Sequence, residues 1–290
     1  MYDICCVGHI TLDKIITPGN KIEMAGGTSF YFSNAVQHLD LHYLLVTAIA
    51  TPERRFVDAL QTSGIEVKAF PSNCTVCFEN VYAQNMDERV QKVWQKSNAF
   101  TVDQLQTINA GIFHLGPLLA DDIPPELIRH LAARATVSLD VQGYLREVKD
   151  HNVHAIDWQL KRQLLPYISI LKANEEEMYV LTGEKNVEAG AAILADWGVK
   201  EVIITCGSKG SVIYIDGSYV EVPAYINGPA KDATGCGDTY MAGYLYQRVK
   251  GASPLEAGQF ASAMAGLKAE CSGPFSGNAQ QVLDLLAAAR

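Results

Sequence analysis

Apolar runs of strand length alternate along this chain with stretches of helical spacing, and that alternation constrains the fold more than any other feature. Ile4 to Val7 reads as a first buried strand, Ser29 to Leu39 as a helix, Tyr43 to Ala50 as a strand and Glu53 to Ser63 as a helix. Strands are expected at Ile112 to Leu115, Val137 to Val141, Ile168 to Lys172 and Glu201 to Cys206, with a helix at Pro125 to Arg134. Strand-length apolar runs bounded by helices imply a mostly parallel, doubly wound α/β sheet with helices on both faces. The last third is helical throughout, at Gly237 to Lys250, Pro254 to Glu270 and Ala279 to Ala289.

Two regions break the alternation. Residues 14–24 are short and polar around Pro18-Gly19. Residues 67–96 alternate with period two (Val76, Phe78, Val81, Tyr82, then Val90, Val93) around a turn-like Asn85-Met86-Asp87-Glu88. Both read as antiparallel ribbon and are expected to form a small β lid over a site at the carboxyl edge of the main sheet. Repeats, low-complexity segments and linkers are absent, so residues 1–290 are expected to form one domain.

With 48% hydrophobic residues in 290, the chain can bury a large core. Its net charge of −9 and the lack of a Lys/Arg run exclude general affinity for nucleic acid or anionic membrane surfaces. The longest apolar stretches fall well short of the roughly 20 residues of a membrane span. Seven scattered cysteines, and an N-terminus that starts directly on a strand, point to a reducing, cytoplasmic setting. Cys74 and Cys77 have metal-like spacing but lack a second pair and read as strand residues. His151 and His154 lie in a polar loop without a third ligand. His9 reads either as a ligand contact or as a satisfied loop histidine, and the three tryptophans read as packing residues.

The chemistry concentrates in Asp232-Ala233-Thr234-Gly235-Cys236-Gly237-Asp238. This is a glycine-rich turn that runs into a helix. Backbone N–H groups of Gly235, Cys236 and Gly237, reinforced by the helix dipole, suit a phosphoryl group that gains charge during transfer. Asp238 stands beside that hole, where a carboxylate can take the proton of an attacking hydroxyl. The heptapeptide alone leaves a second reading open, a glycine turn in which Asp238 caps a helix.

The segment resembles the second signature of the PfkB (ribokinase-like) carbohydrate kinases, D-[TPAS]-[TN]-G-A-G-D, and matches it at Asp232, Thr234, Gly235, Gly237 and Asp238. The resemblance implies Asp238 as catalytic base and Gly235, Cys236 and Gly237 as anion hole, with Cys236 where Ala is commoner. Other elements follow in order. Asp13, after the first strand, resembles the acceptor-binding carboxylate, and Gly26-Gly27 resemble the glycine pair at the lid hinge. Many members carry Asn four residues past the second Gly, at the usual ribose or fructose contact; here that position is Tyr31, and Asn34 comes three residues later. Asn174 and Glu177 resemble the N-x-x-E motif that organises Mg²⁺ through water. Thr205, Gly207 and Gly210 resemble the turn that contacts nucleotide phosphate and ribose, and residues 261–273 are implied at the base of the nucleotide.

Asp140-Val141-Gln142-Gly143-Tyr144-Leu145-Arg146 places a carboxylate, an amide and a guanidinium after one buried strand. The signature loop lacks a Walker lysine, so Arg146 is the candidate cation for the transferring phosphoryl group, with a surface salt bridge as its other reading, and Gln142 a candidate acceptor contact. This segment is similar to the inositol-kinase-like branch. The expectation is an ATP- and Mg²⁺-dependent kinase acting on a hydroxyl of a small sugar or cyclic polyol. A monovalent cation and a homodimer through the lid are left open. The rival readings are a nucleoside kinase of the same family, a hydrolase, and a non-catalytic ligand sensor on this fold.

Overall fold

The computed structural model describes residues 1–17, 19–82 and 89–289. Its strands, in chain order, are β1 (Tyr2–Val7), β2 (Thr11–Thr17), β3 (Asn20–Gly26), β4 (Tyr43–Ile49), β5 (Glu66–Pro71), β6 (Val76–Tyr82), β7 (Arg89–Gln95), β8 (Ala110–Leu115), β9 (Thr136–Asp140), β10 (Arg146–Lys149), β11 (Asn152–Ala155), β12 (Ile170–Asn174), β13 (Glu201–Thr205), β14 (Ser211–Ile215) and β15 (Ser218–Val222). The large sheet has the order β15-β14-β13-β12-β9-β8-β1-β4-β5. It is parallel from β13 to β5, and β14 and β15 add an antiparallel edge.

Side chains of the central strands alternate between two cores, as a two-residue period requires when both faces are covered. Cys5, Val7, Leu44 and Val46 face one core with helical residues Leu127, Ile128, Met178 and Leu194. Ile4, Cys6, Tyr43 and Leu45 face the other with Phe32, Val57, Met241 and Phe260. The chain leaves β1 for β4 on one side and resumes at β8 on the other. Strand order therefore reverses around β1, and a crevice opens there at the carboxyl ends.

The small sheet has the order β10-β11-β7-β6-β2-β3. It refines the expected lid in two ways. Residues 67–71 are not lid: β5 pairs in parallel with β4, because its residues continue the crossover begun by the helix Arg54–Thr62. The small sheet also gains a hairpin, β10–β11, in what read as a polar loop around His151. Asp150 and His151 adopt φ of 48° and 65° between the paired Lys149 and Asn152. That is the two-residue turn whose twist suits a hairpin, built without glycine. The Asn85–Glu88 turn and Pro18 lie outside the described residues. The small sheet packs Val76, Phe78 and Val93, with Val148 and Val153, onto Leu118 and Leu119. Trp158 is buried against Tyr144, whereas Trp94 is 45% exposed on the small sheet rather than packed in a core.

All seven cysteines are free. Among the described residues, no helix is long and apolar enough to cross a membrane, and no group of three His, Cys, Asp or Glu is placed to hold a metal ion.

Candidate active site

A cavity of about 530 Å³ opens at the carboxyl ends of the parallel strands and gathers Asp13, Gly27, Asp140, Gln142, Arg146, Asn174, Thr205, Gly207 and Gly235 to Asp238. These residues come from six separate segments of the chain, most of them at a strand end or in a turn beside one. A second, apolar cavity of about 280 Å³ continues from it past Gly207 and Gly237, and Gly210 lines this one.

Asp238 lies in the first turn of the helix Cys236–Val249. The turn before it is held by Gly235, with φ 77° and ψ 4°, where an added Cβ would lie 2.2 Å from the Tyr31 ring. Only glycine satisfies both demands. No side chain caps this helix start, so the dipole is left facing the cavity. The Cys236 N–H donates to Ala233 O at 3.2 Å, so the amide at that position is partly engaged within the turn. Burial, then the Asp140 charge, push the Asp238 carboxyl up to about 7, while Lys172 and a hydrogen bond from Thr28 pull the other way. Its proton affinity is thereby matched to proton transfer near neutral pH.

Lys172 belongs to no motif and stands in the sequence only at the end of an expected strand. It sits in β12 at 5% exposure, with Nζ 2.9 Å from Asp140 Oδ2 and 4.0 Å from Glu177 Oε2. Burial works against its charge, but Asp140 and then Glu177 hold it protonated above the usual lysine range. A Cβ on Gly237 would lie 3.1 Å from Nζ, so the ammonium stands directly under the glycine turn. A lysine inside an otherwise apolar strand was the available signal, since such a residue is buried only when paired.

Asn174 and Glu177 form a reciprocal capping box at the start of the helix Glu175–Thr182. Asn174 Oδ1 accepts from the Glu177 N–H and Glu177 Oε2 from the Asn174 N–H, each at 2.8 Å. This motif thus has a structural task, while Asn174 still lines the cavity. Asp140 is shared as well: Oδ1 accepts from the Gln142 N–H at 3.1 Å.

On the opposite wall Thr11 Oγ1 donates to Asp13 Oδ1 at 2.6 Å. Gly26 leaves room for this carboxylate, since a Cβ there would lie 2.1 Å from Asp13 Oδ2. Gly27, at φ 91°, brings its backbone against His9 O. Tyr31 lines the same cavity with its ring against Gly235; burial, then Asp13, Asp232 and Asp238, raise its phenol well above the ordinary range. His9 is structural: fully buried, stacked on Phe100, with Nε2 3.7 Å from Asp122 Oδ1. Arg146 opens β10 and so belongs to the root of the small sheet, facing the cavity beside Gln91 and Phe78.

The sequence profile of the pfkB family carbohydrate kinases matches residues 36–280. A cytidine kinase of Thermococcus kodakarensis is 30% identical over 267 residues, covering 88% of this chain and 91% of its own. Among solved structures, a pyrophosphate-dependent kinase in the ribokinase family, complexed with a pyrophosphate analogue and myo-inositol, has a TM-score of 0.87 at 24% identity, covering 97% of this chain and 99% of its own. The Arabidopsis thaliana ribokinase complexed with ribose and ATP has a TM-score of 0.81 at 22% identity, covering 98% of each chain. These two establish a shared ribokinase-like fold, and the profile and the full-length relative carry the rest: the chain is a kinase of the pfkB carbohydrate kinase family.

Proposed function

We propose that this kinase transfers the γ-phosphoryl group of ATP to a hydroxyl of a small sugar or cyclic polyol, with Asp238 as the base. The observation that carries the reading is Asp238 beside an uncapped helix start, in one cavity with Asp13, Gln142 and Arg146. The acceptor hydroxyl gives its proton to Asp238 as its oxygen attacks the phosphoryl group in line. Amides of the Gly235–Gly237 turn and the Lys172 ammonium beneath it stabilise the charge on the transferring group. Arg146 adds a second cation from the small sheet. Asp13, Gln142 and backbone beside Gly27 hold the acceptor, whose many hydroxyls suit this polar wall.

The donor reading rests on the second cavity. Its walls are Ala224, Tyr225, Ala265, Gly266 and Ala269, beside the turn that carries Gly207 and Gly210. An apolar slot continuous with the phosphate site suits a nucleobase and would be superfluous for pyrophosphate alone. Mg²⁺ fits the charge balance: Asp140, Glu177 and Asp238 surround one lysine, leaving net negative charge for a divalent ion to offset. Glu177 would meet it through water, and the ion would shield the donor phosphates. A small sheet over the acceptor supports a lid that excludes water, and its exposed edge strand β3, with Ile22 at 47% exposure, supports a homodimer. The net charge and the free cysteines support a cytoplasmic setting without nucleic-acid or membrane partners. A nucleoside acceptor is the second reading, favoured by the full-length similarity to a cytidine kinase and by the aromatic Tyr31 and Phe78 in the cavity wall.

The test is ADP formation with Mg²⁺-ATP against myo-inositol, ribose, fructose, cytidine, adenosine and buffer alone, with pyrophosphate replacing ATP in a parallel set. Acceptor-dependent ADP that disappears in Asp238→Asn supports the mechanism and names the acceptor class. Turnover with pyrophosphate alone would overturn the donor reading, and ADP release equal with and without acceptor would overturn the kinase reading of this site.

A further inference from the structure

We propose that the ammonium of Lys268 is a built-in monovalent cation that holds the anion-hole loop in its active shape. Lys268 lies at the end of the helix Pro254–Ala269 and is 0% exposed. Its Nζ donates to Asp232 O at 2.8 Å, to Asp232 Oδ2 at 3.2 Å and to Cys271 O at 3.4 Å. An ammonium has three N–H groups, and three oxygens meet them. Two of the three are backbone carbonyls, which are also ordinary ligands for a weakly hydrated alkali ion.

The loop this cluster holds is the one that leads into the helix of Asp238. Asp232 Oδ1 accepts from the Thr234 N–H at 2.9 Å, and Asp232 Oδ2 accepts from the Gly273 N–H at 3.2 Å. Lys231 and Asp232 N–H groups both donate to Ala269 O, at 2.7 and 3.2 Å. Asp232 is therefore the knot between the end of one helix and the start of the next, and Lys268 neutralises it from the buried side. Without a cation, two carbonyls and a carboxylate would face one another around the point that the fully buried ammonium now holds, and the loop would be driven open. A free cation from solvent could do the same work only by entering that space, which Nζ already fills. Among the described residues Lys268 hydrogen-bonds to none of the cavity-lining side chains, so it acts as a positioning residue through Asp232 and the Gly235 turn.

This inference rests on the reading of the Gly235–Gly237 turn as the phosphoryl site, and the experiment separates the two. Wild-type turnover and melting temperature are measured in potassium, sodium, ammonium and tetramethylammonium chloride at equal ionic strength. Both should change by less than about twofold in rate and by no specific shift in melting, as general screening allows. Lys268→Ala opens the space; in tetramethylammonium its turnover should fall about 10²-fold, the scale of a misplaced catalytic group. Potassium or ammonium should recover at least about tenfold of this and raise the variant's melting temperature, while leaving the wild type where it was. A wild type stimulated by potassium, or a variant equally impaired in every salt, overturns the proposal. The melting shift is read without an acceptor, so it decides the cation role even where the kinase assay is silent. Should Lys268→Ala fail to fold, Lys268→Ser, which also leaves the space open, and the wild-type salt series carry the same two outcomes.

Discussion

The Lys172 ammonium and the Asp140 carboxylate, 2.9 Å apart and paired in register on neighbouring strands, form a buried ion pair directly beneath the glycine turn that precedes Asp238. The pair does two things at once. It neutralises a carboxylate that burial would otherwise disfavour, and it sets a positive charge where a phosphoryl group would gain negative charge.

Removing that charge should be felt in the pH profile as well as in the rate. Lys172→Met leaves Asp140 and Glu177 without their cation, so turnover should fall about 10²–10³-fold. Because Lys172 holds the Asp238 proton affinity down, the acidic limb of the kcat/KM profile should also move to higher pH in this variant. An unchanged limb would mean that Lys172 does not tune Asp238.

Asp238 should betray its strain in the stability curve. Its folded pKa, about 7, lies above the ordinary aspartate value, so the folded state binds the proton more tightly than the unfolded chain. Its contribution is most favourable below the unfolded pKa and is lost as pH rises toward the folded one. Asp238→Asn should therefore melt higher than wild type by about 2–4 °C at about pH 8, and the gap should close by about pH 4. The same variant should lose about 10²–10⁴-fold in turnover. Calorimetry across that range checks the first statement and the ADP assay the second.

Two glycines separate backbone strain from close contact. Gly183 and Gly235 have φ of 74° and 77°, but a Cβ on Gly183 meets nothing within 4 Å, whereas one on Gly235 meets the Tyr31 ring at 2.2 Å. Gly183→Ala should cost about 1–2 kcal/mol, the left-handed penalty alone, and leave activity intact. Gly235→Ala should cost more and abolish most activity. In a Tyr31→Ala background the excess should shrink, which urea denaturation of the four proteins would show.

The small sheet should matter to the acceptor and not to the donor. Val148 and Val153 pack against the group of Leu118 and Leu119 that seats it. Val148→Ser with Val153→Ser should raise the acceptor KM and the acceptor-independent hydrolysis of ATP, each by about tenfold, with nucleotide affinity unchanged. Equal weakening of both substrates would place the defect in the large sheet.

Much of this architecture was legible because period-two and helical patterns survive burial on both faces: the predicted strands at Ile4, Tyr43, Ile112, Val137 and Glu201 all fall within one or two residues of β1, β4, β8, β9 and β13. What escaped was either too short or too ordinary. The β10–β11 hairpin has four-residue strands and a turn without glycine, so no turn signal marked it. Residues 67–71 alternate no differently in an edge strand of the large sheet than they would in a ribbon. Asp13, Gly27, Gln142, Arg146, Asn174 and residues 233–238 were legible as motifs, and the structure draws them to one crevice. Lys172 and Lys268 were not, because their roles come from oxygens more than 30 residues distant in sequence.

The β10–β11 hairpin grows directly out of the segment that carries Asp140, Gln142 and Arg146, whereas Asp238 rides on a helix anchored to the large sheet. Any hinge of the small sheet must swing Arg146 away from Asp238 in the same movement. On the proposed roles, an open enzyme would be an incomplete one: it would part its own machinery as it let the acceptor in, and be reassembled only around cargo.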